Sequence, residues 1–292
     1  MHKSGFVNIV GRPNVGKSTL MNELVGERIS IITSKSQTTR HRILGFVNGE
    51  DFQVVFSDTP GIIKPKYKMQ EKMMNFVVTS FEDADLFLYV TDVVEDPAKN
   101  TEFIEKLRET EVPVLCLINK VDIEKENIIL PLVQYWTETL PNAEVILISA
   151  LKGQNVYYVF DRVLALIPEG PVWFPKDQLT DKTERFIASE IIREKIFNNY
   201  KQEIPYASQV FVESFIDEEK IIKMRVEIIV ERTTQKAIII GHKGSALKKT
   251  LTEARLDMEK FFGKKIFIES FVKVKKDWRD SEFNLRNFGY DG

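Results

Sequence analysis

The segment GRPNVGKS, residues 11–18, ends in a lysine and a serine and fits the spacing G-x-x-x-x-G-K-[ST]. An apolar run, FVNIV, precedes this segment, and a helical pattern follows it. Gly11 and Gly16 allow backbone N–H groups to turn toward phosphate oxygens, and a helix N-terminus favours negative charge. Lys17 would reach the β- and γ-phosphates, and the Ser18 hydroxyl would bind Mg²⁺. The segment therefore predicts a nucleoside triphosphate site.

Two further motifs each follow an apolar run that is typical of a strand. DTPG, residues 58–61, offers the Asp58 carboxylate to Mg²⁺ and the Gly61 N–H to the γ-phosphate. NKVD, residues 119–122, ends in Asp122, whose carboxylate can accept hydrogen bonds from N1–H and N2–H₂ of guanine. Because adenine offers no such pair of donors, this motif favours GTP over ATP.

The guanine base is expected to lie against two neighbouring loops. Asn119 can bond its other edge, and the alkyl stem of Lys120 can cover its face. Backbone N–H groups of Ser149 and Ala150 can reach guanine O6. The predicted GTP contacts are Gly11, Arg12, Pro13, Asn14, Val15, Gly16, Lys17, Ser18, Thr19, Thr38, Asp58, Thr59, Pro60, Gly61, Asn119, Lys120, Asp122, Ser149 and Ala150.

Hydrolysis needs an oriented water and compensation of charge near the β–γ bridge. The segment SQTTRHR, residues 36–42, offers Thr38 and Thr39 as Mg²⁺ ligands that sense the γ-phosphate, with a slight preference for Thr39. The residue after DTPG is Ile62, which can neither orient water nor donate a hydrogen bond. We therefore expect Lys17, Thr39 and Gly61 to act on the reaction itself, and Ser18, Thr39 and Asp58 to hold Mg²⁺.

The sequence favours neither of two roles for Asn14 over the other. It is a candidate ligand for a monovalent cation such as K⁺ beside the phosphates, or a loop residue that stabilises the turn.

The elements that position these residues alternate between strand and helix patterns over the first 167 residues. Strands are predicted at 6–10, 43–47, 52–57, 86–91, 114–119 and 145–149. Runs such as LFLYV and VILIS are apolar on successive residues, which suits strands buried on both faces of a parallel sheet. The pattern predicts an α/β fold with a doubly wound, mostly parallel sheet.

Three prolines between 168 and 175 interrupt this pattern, and a linker is predicted there. Helices at 182–200, 234–240 and 245–262 and strands at 208–216, 220–230 and 265–274 follow. Their order, αββααβ, indicates a smaller α+β domain. The predicted division is 1–170 for the nucleotide domain, 171–181 for the linker and 182–292 for the second domain.

A glycine pair, IIIGHKGSALKK, lies between the last two helices of that domain. Its spacing is wrong for a triphosphate loop, but G-x-x-G before a helix lets nucleic-acid backbone approach closely. Basic side chains near this turn and in the segment KVKKDWR complete the predicted RNA contacts. They are Gly241, His242, Lys243, Gly244, Lys248, Lys249, Lys275, Lys276 and Arg279. Trp278 could stack on a base, although a plain edge strand explains KVKKDWR equally well.

Composition excludes several other classes of protein. The chain has 292 residues, a hydrophobic fraction of 43% and a net charge of -2, which describe an ordinary globular protein of two-domain size. It has one cysteine, Cys116, and no apolar run of about 18 residues that would suggest a membrane span. The N-terminus lacks a signal-peptide pattern, so we expect a cytoplasmic protein.

Taken together, the motifs resemble the Era family of bacterial GTPases over nearly the whole chain. The resemblance includes GRPNVGKSTL, SQTTRHRI, DTPGI, NKVD, ISALKG, PKDQLTDKTERF, IIIGHKGSALKK and KVKKDWR. It implies a P-loop GTPase domain joined to a type II KH domain, binding to 16S ribosomal RNA near its 3′ end, and a role in 30S subunit assembly. It further implies peripheral association with the inner membrane, and K⁺ at Asn14 by analogy with related GTPases. We expect a monomer.

Two other functions stay open at this stage. One is a GTPase that serves an RNA-modification enzyme, which would need a cofactor or nucleophile site in the C-terminal part. The other is a signalling or scaffold GTPase whose C-terminal domain binds protein. Loss of RNA binding on replacing Gly241 and Gly244 by Asp would favour the RNA-binding interpretation over the second alternative.

Overall fold

The computed structural model of the protein describes residues 1–97 and 101–290. Its N-terminal part contains, in chain order, β1 (Lys3–Gly11), α1 (Lys17–Val25), β2 (Ile43–Asn48), β3 (Phe52–Asp58), α2 (Lys68–Glu82), β4 (Leu86–Asp92), α3 (Thr101–Glu109), β5 (Val114–Asn119), α4 (Glu126–Thr139), β6 (Ala143–Leu147) and α5 (Val156–Leu166). The strands form one sheet in the order β2-β3-β1-β4-β5-β6. β2 pairs antiparallel with β3, and the other pairs are parallel. The predicted doubly wound, mostly parallel sheet is confirmed.

The C-terminal part is a smaller α+β unit. It contains α6 (Glu184–Asn199), α7 (Ile204–Ala207), β7 (Gln209–Asp217), β8 (Ile221–Val230), α8 (Thr233–Ile240), α9 (Ser245–Phe262), β9 (Lys265–Val274) and α10 (Glu282–Asn287). The sheet order is β7-β8-β9, with β7 antiparallel and β9 parallel to β8. The predicted αββααβ order is confirmed, with the short α7 and α10 added.

One predicted strand is displaced. Strand β6 ends at Leu147, two residues before the predicted end at 149. Ser149 instead forms an isolated bridge with Gln154 and begins a short 3₁₀ turn, Ala150–Lys152, so the loop that follows β6 starts earlier than the apolar run suggests.

The segment predicted as a linker is bound along the first sheet. The side-chain oxygen of Gln53 accepts hydrogen bonds from the backbone N–H groups of Trp173, at 2.7 Å, and Phe174, at 3.0 Å. The Phe174 ring stacks on Phe46 with centroids 4.2 Å apart. Farther along, Phe46 N–H donates to the Leu179 carbonyl at 2.9 Å. These contacts fix where the chain leaves the first domain.

The first domain has two apolar clusters, the second domain has one, and a fourth cluster joins the two domains. Met69 and Met73 of α2 pack there against residues of the second domain, namely Ile229, Trp278, Leu285, Phe288 and Tyr290. All of these side chains are buried. Ile63 and Tyr67, which lie between DTPG and α2, pack against the same cluster, so it connects the segment after DTPG to the second domain. Within the described residues, no helix has the length and apolar character needed to cross a bilayer.

Candidate functional site

The loop between β1 and α1 encloses the side chain of Lys17. Its Nζ donates to the carbonyl groups of Gly11, at 3.1 Å, and Arg12, at 2.7 Å, and the residue is 6% exposed. Burial lowers the pKa of Lys17 to about 8 because a charged amine loses hydration, although the carboxylates of Asp58 and Glu95 act in the opposite direction. The amine therefore stays largely protonated at neutral pH, as a phosphate ligand requires.

Ser18, Thr39 and Asp58 come together beside Lys17. Ser18 Oγ lies 2.7 Å from Asp58 Oδ2 and 2.9 Å from Thr39 Oγ1. The second oxygen, Asp58 Oδ1, is buried without a hydrogen-bond partner among the described residues, and burial raises the pKa of this carboxyl group. Three oxygen side chains, one of them a poorly compensated carboxylate, form the kind of donor set that suits a hard cation such as Mg²⁺.

The two candidate threonines differ in position. Thr39 is buried in the cluster with Ser18 and Asp58, whereas the Thr38 hydroxyl points elsewhere. Thr38 Oγ1 lies 2.6 Å from Thr33 Oγ1 and donates to the Lys35 carbonyl at 2.7 Å. The geometry therefore favours Thr39 over Thr38 as the metal ligand.

Asn119 connects the loops on the base side. Its Nδ2 donates to the Val15 carbonyl at 2.8 Å, and its Oδ1 accepts from Ala150 N–H at 2.9 Å. The side chain is buried, so its amide holds two loops in place rather than facing the cavity alone. The backbone N–H groups expected at guanine O6 are also engaged, because Ser149 N–H donates to the Gln154 carbonyl at 3.2 Å.

A cavity of about 410 Å³ lies between the four segments GRPNVGKS, SQTTRHR, DTPG and NKVD. It is lined by predicted residues from all of them, including Lys17, Thr39, Gly61 and the exposed Asp122. Predicted residues that do not line it are Gly11, Arg12, Val15, Asp58, Thr59, Pro60 and Ala150. Lining residues that were not predicted are Ile31, Ile32, Thr33, Ser34, Gln37, Ile123 and Leu151. Gln37 and Leu151 stand within SQTTRHRI and ISALKG, and the others lie in segments without a recognisable spacing.

Several predicted contacts support the walls of this cavity. The Arg12 guanidinium pairs with Glu95, and the Thr59 hydroxyl donates to the Ile9 carbonyl at 2.9 Å. Asn14, at φ 66°, donates from Nδ2 to the Ser34 carbonyl at 3.0 Å, so its side chain joins the loop after β1 to the loop after α1. Gly61 packs so closely on the first loop that a Cβ there would lie 2.6 Å from the Pro13 nitrogen.

The glycine pair of the second domain forms the predicted turn. Helix α8 ends at Ile240, a 3₁₀ turn covers His242–Gly244, and α9 begins at Ser245. Gly241 has φ 71°, and a Cβ there would lie 2.6 Å from the Ala246 Cβ. The side chains of His242, Lys243, Lys248 and Lys249 are exposed around the start of α9. Positive charge therefore faces solvent at the N-terminus of α9, while the Gly244 N–H donates to the Gly241 carbonyl at 3.2 Å.

The other predicted RNA contacts lie elsewhere. Lys275 N–H bonds the Val230 carbonyl just before α8, so Lys275 and Lys276 are at the opposite end of that helix from the glycine turn, about 12 Å along its axis. Arg279 is bound by Glu231 and lies 4.7 Å over the Tyr67 ring. Trp278 is fully buried and donates to the Ala207 carbonyl at 3.0 Å. The stacking role for Trp278 is therefore wrong, and the position of Arg279 does not support an RNA contact.

Comparisons with known proteins agree with this geometry. Residues 6–120 match a family model described as a 50S ribosome-binding GTPase, and residues 203–279 match a KH domain. The GTPase Era of Syntrophus aciditrophicus is 44% identical over 294 aligned residues, which cover 100% of this chain and 96% of that protein. The GTPase Era of Clostridium kluyveri is 42% identical and is covered completely.

The chain belongs to the Era family of GTPases. As an Era-family enzyme it hydrolyses GTP to GDP and phosphate. Two solved Era structures match 99% of the chain with a TM-score of 0.94 and 38% identity. One is Era in complex with MgGDPNP and nucleotides 1506–1542 of 16S ribosomal RNA, and the other is Aquifex aeolicus Era bound to GDP.AlF4-. The second domain of this Era-family chain is accordingly a KH domain.

The motifs do not reveal the residues that join the two domains of this Era-family protein. Arg40 and His41 follow the switch threonines, and both side chains are buried against the KH domain. They stand in the motif SQTTRHRI, but nothing in the motif itself shows that their partners lie about 160 or more residues away.

Proposed function

We propose that the protein is a GTP-driven switch that binds 16S ribosomal RNA near its 3′ end through the KH domain and assists 30S subunit assembly. The observation that carries the RNA contact is the 241–244 turn, where two glycines and four exposed basic side chains meet the first turn of α9. The Era structure with nucleotides 1506–1542 of 16S ribosomal RNA supports the choice of RNA for a chain of the same fold. Lys275 and Lys276 would extend the contact beyond that turn.

Each motif of the proposed nucleotide site has its own role in binding GTP. Lys17 would bind the β- and γ-phosphates, and Gly61 N–H would bind the γ-phosphate once its loop is ordered. The Asp122 carboxylate would select guanine, and the alkyl stem of Lys120 would cover the base. The Ala150 N–H would turn to guanine O6 on binding, since its partner Asn119 can exchange that bond for the base. We retain the divisions 1–170, 171–181 and 182–292 for the two domains and their linker.

Ser18, Thr39 and Asp58 would hold Mg²⁺, which neutralises charge on the β- and γ-phosphates during hydrolysis. The Mg²⁺ nucleotide in the solved Era complex supports this choice of metal. No glutamine follows DTPG, and Ile62 packs instead against the apolar core. The attacking water would therefore be oriented by backbone groups near Thr39 and Gly61, with a K⁺ ion at Asn14 as the source of extra positive charge.

Cytoplasmic location, peripheral contact with the inner membrane and a monomeric state are proposals that rest on the family resemblance. Fractionation of cells and sedimentation of the purified protein test them directly.

Removing the hydroxyl of Thr39 tests the metal assignment. Thr39→Ala is expected to lower kcat for GTP hydrolysis by about 100-fold and to raise the Mg²⁺ concentration needed for half-maximal rate. Thr39→Ser keeps the oxygen and should retain most of the rate. Affinity for GDP should change little, because GDP lacks the γ-phosphate that this threonine senses. Wild-type kinetics in Thr39→Ala would refute the assignment.

The coupling between nucleotide and RNA is tested by measuring affinity for a 16S 3′-end oligonucleotide by filter binding. With a non-hydrolysable GTP analogue, we expect RNA binding about 10-fold tighter than with GDP, in the usual range for coupled sites. A scrambled oligonucleotide of equal length is the control for charge alone. Equal RNA affinity in both nucleotide states would refute the coupling, whereas no preference for the 3′-end sequence would refute the choice of RNA.

A further inference from the structure

The segment that contains the switch threonines, residues 33–42, is bound by the KH domain through three cations. Lys35 and Arg40 of this switch segment donate to carbonyl groups of the KH domain, and Arg193 of α6 donates back to a carbonyl group of the segment. The acceptors are main-chain oxygens in each case. The KH domain therefore contacts the segment on both sides of Thr39, and through Arg193 it binds the backbone of the segment itself.

Arg193 makes the contact next to Thr39. Its Nη2 lies 2.5 Å from the Thr38 carbonyl oxygen, and its Nε donates to Glu190 at 2.7 Å. Arg193 is 1% exposed and Glu190 is 4% exposed, so this pair is sealed from water. Desolvation acts against the charge, but the Glu190 carboxylate outweighs it and holds the pKa of Arg193 above its ordinary value. The guanidinium is therefore a fixed, charged donor to the switch segment.

Arg40 and Lys35 hold the two sides of the segment. Arg40 is fully buried, and its guanidinium donates at 2.8 Å to the carbonyls of Pro205 and Ser208, around the end of α7. Lys35 donates at 2.5 Å to the Tyr200 carbonyl, just after α6. Carbonyl groups at a helix C-terminus lack intrahelical partners and carry partial negative charge, which makes them good acceptors for cations.

A donor on the Thr38 carbonyl restricts Thr39 directly. The carbonyl of Thr38 and the N–H of Thr39 belong to one planar peptide group, so fixing the oxygen fixes the plane from which Thr39 extends. In that arrangement the Thr39 hydroxyl lies 2.9 Å from Ser18 Oγ and 3.3 Å from Asp58 Oδ2. The placement of a predicted metal ligand thus depends on an arginine of the other domain.

We propose that Arg193, held by Glu190, is a positioning residue for GTP hydrolysis: it keeps Thr39 in the metal site, so the KH domain acts as a built-in activator of the GTPase. The inference rests on the proposed role of Thr39. Because binding free energies are reciprocal, ordering of Thr39 by GTP also strengthens the contact between switch segment and KH domain. GDP, which does not use Thr39, gains nothing from Arg193.

The double variant Glu190→Gln/Arg193→Met in the full chain tests this role. It removes both charges of this pair at once, so neither Glu190 nor Arg193 is left as a buried charge without its partner. We expect kcat to fall about 10-fold and the Mg²⁺ concentration for half-maximal rate to rise several-fold. Affinity for GDP should stay within about twofold of wild type. The readouts are single-turnover hydrolysis at saturating GTP, an Mg²⁺ titration, GDP binding and the thermal midpoint.

Arg28→Met is the matched control. Arg28 also joins the first domain to α6, through Glu194, but it lies before the switch segment, and its ion pairs among the described residues are with Glu194 and Asp257. Its variant should keep the wild-type kcat. Equal losses in both variants would overturn the specific role of Arg193, as would a parallel loss of GDP and GTP affinity with a lowered thermal midpoint. Unchanged kcat and Mg²⁺ dependence in the double variant, with activity lost in Thr39→Ala, would also overturn it. Full activity in Thr39→Ala would instead refute the metal assignment itself.

Discussion

Replacing Asp122 by Asn is expected to lower the affinity for GTP about a thousandfold and to create affinity for xanthosine triphosphate. The carboxylate offers two acceptors to N1–H and N2–H₂ of guanine, and hydrogen bonds to a charged group contribute about 1.5–3 kcal/mol each. An amide replaces one acceptor by a donor, which then faces the N2–H₂ group. Xanthine carries a carbonyl at that position, so the same amide complements it. Binding of fluorescent GDP and its xanthine analogue measures the exchange.

The structure makes this substitution unusually easy to interpret. Asp122 is exposed in the described structure, whereas the neighbouring Asn119 is buried and joins two loops. Asp122→Asn should therefore leave the thermal midpoint unchanged, while Asn119→Ala should lower it together with nucleotide affinity. If Asp122→Asn bound GTP like the wild type, the base would not lie against this carboxylate and the predicted source of guanine specificity would be wrong.

The nucleotide site was largely predictable because its chemistry depends on local spacing. A turn between a strand and a helix places Lys17 and Ser18 by geometry that a few consecutive residues determine. Parallel strands then bring Asp58 and Asp122 to the same edge of the sheet, which follows once the strands are recognised. The choice between Thr38 and Thr39 was beyond the sequence, since it depends on which hydroxyl the folded loop turns toward Asp58.

The contacts between the domains were not predictable for a physical reason. Arg40 and Arg193 bind main-chain carbonyls, and every residue type supplies the same carbonyl group. No complementary residue type therefore marks the partner. Trp278 shows that a sequence can also suggest a contact that the fold does not make. Its place beside lysines in KVKKDWR suggests base stacking, but its side chain packs in the apolar cluster with Met69 and Met73. Composition alone does not distinguish a ring that faces RNA from one that packs against another domain.

These contacts place the switch segment and the helix after DTPG on the KH domain. Residues 33–42 are bound by α6 and the end of α7, and the helix after DTPG packs against Trp278 and its neighbours. Loss of the γ-phosphate would therefore affect two separate surfaces of the second domain, one in contact with residues 33–42 and one in contact with the helix after DTPG. Since interfaces of this kind have discrete packed arrangements, a small movement at either loop can shift the population of whole-domain states.

Replacing Gly244 by Asp is expected to weaken RNA binding about 10- to 100-fold, or roughly 1.4–2.8 kcal/mol. The turn offers exposed positive charge at the N-terminus of α9, which favours an anion, and a carboxylate there would repel phosphate. Gly244 is the better position for the test. A Cβ at Gly244 meets nothing within 4 Å, whereas at Gly241 it would meet Ala246 at 2.6 Å. Filter binding of a 16S 3′-end oligonucleotide at fixed salt measures the loss.

Gly244→Asn is the neutral control of nearly equal shape. Gly244 has φ 78°, and Asn and Asp both tolerate that left-handed conformation better than other side chains do, so the two variants should fold alike. If charge repels the phosphodiester chain, Asp will lose far more RNA affinity than Asn, and the difference will shrink as salt is raised. Basal GTP hydrolysis should remain at the wild-type rate in both variants, because the turn lies in the KH domain, outside the nucleotide cavity. Equal RNA affinity in Asp, Asn and wild type would move the RNA contact away from this turn and would favour a KH domain that binds protein.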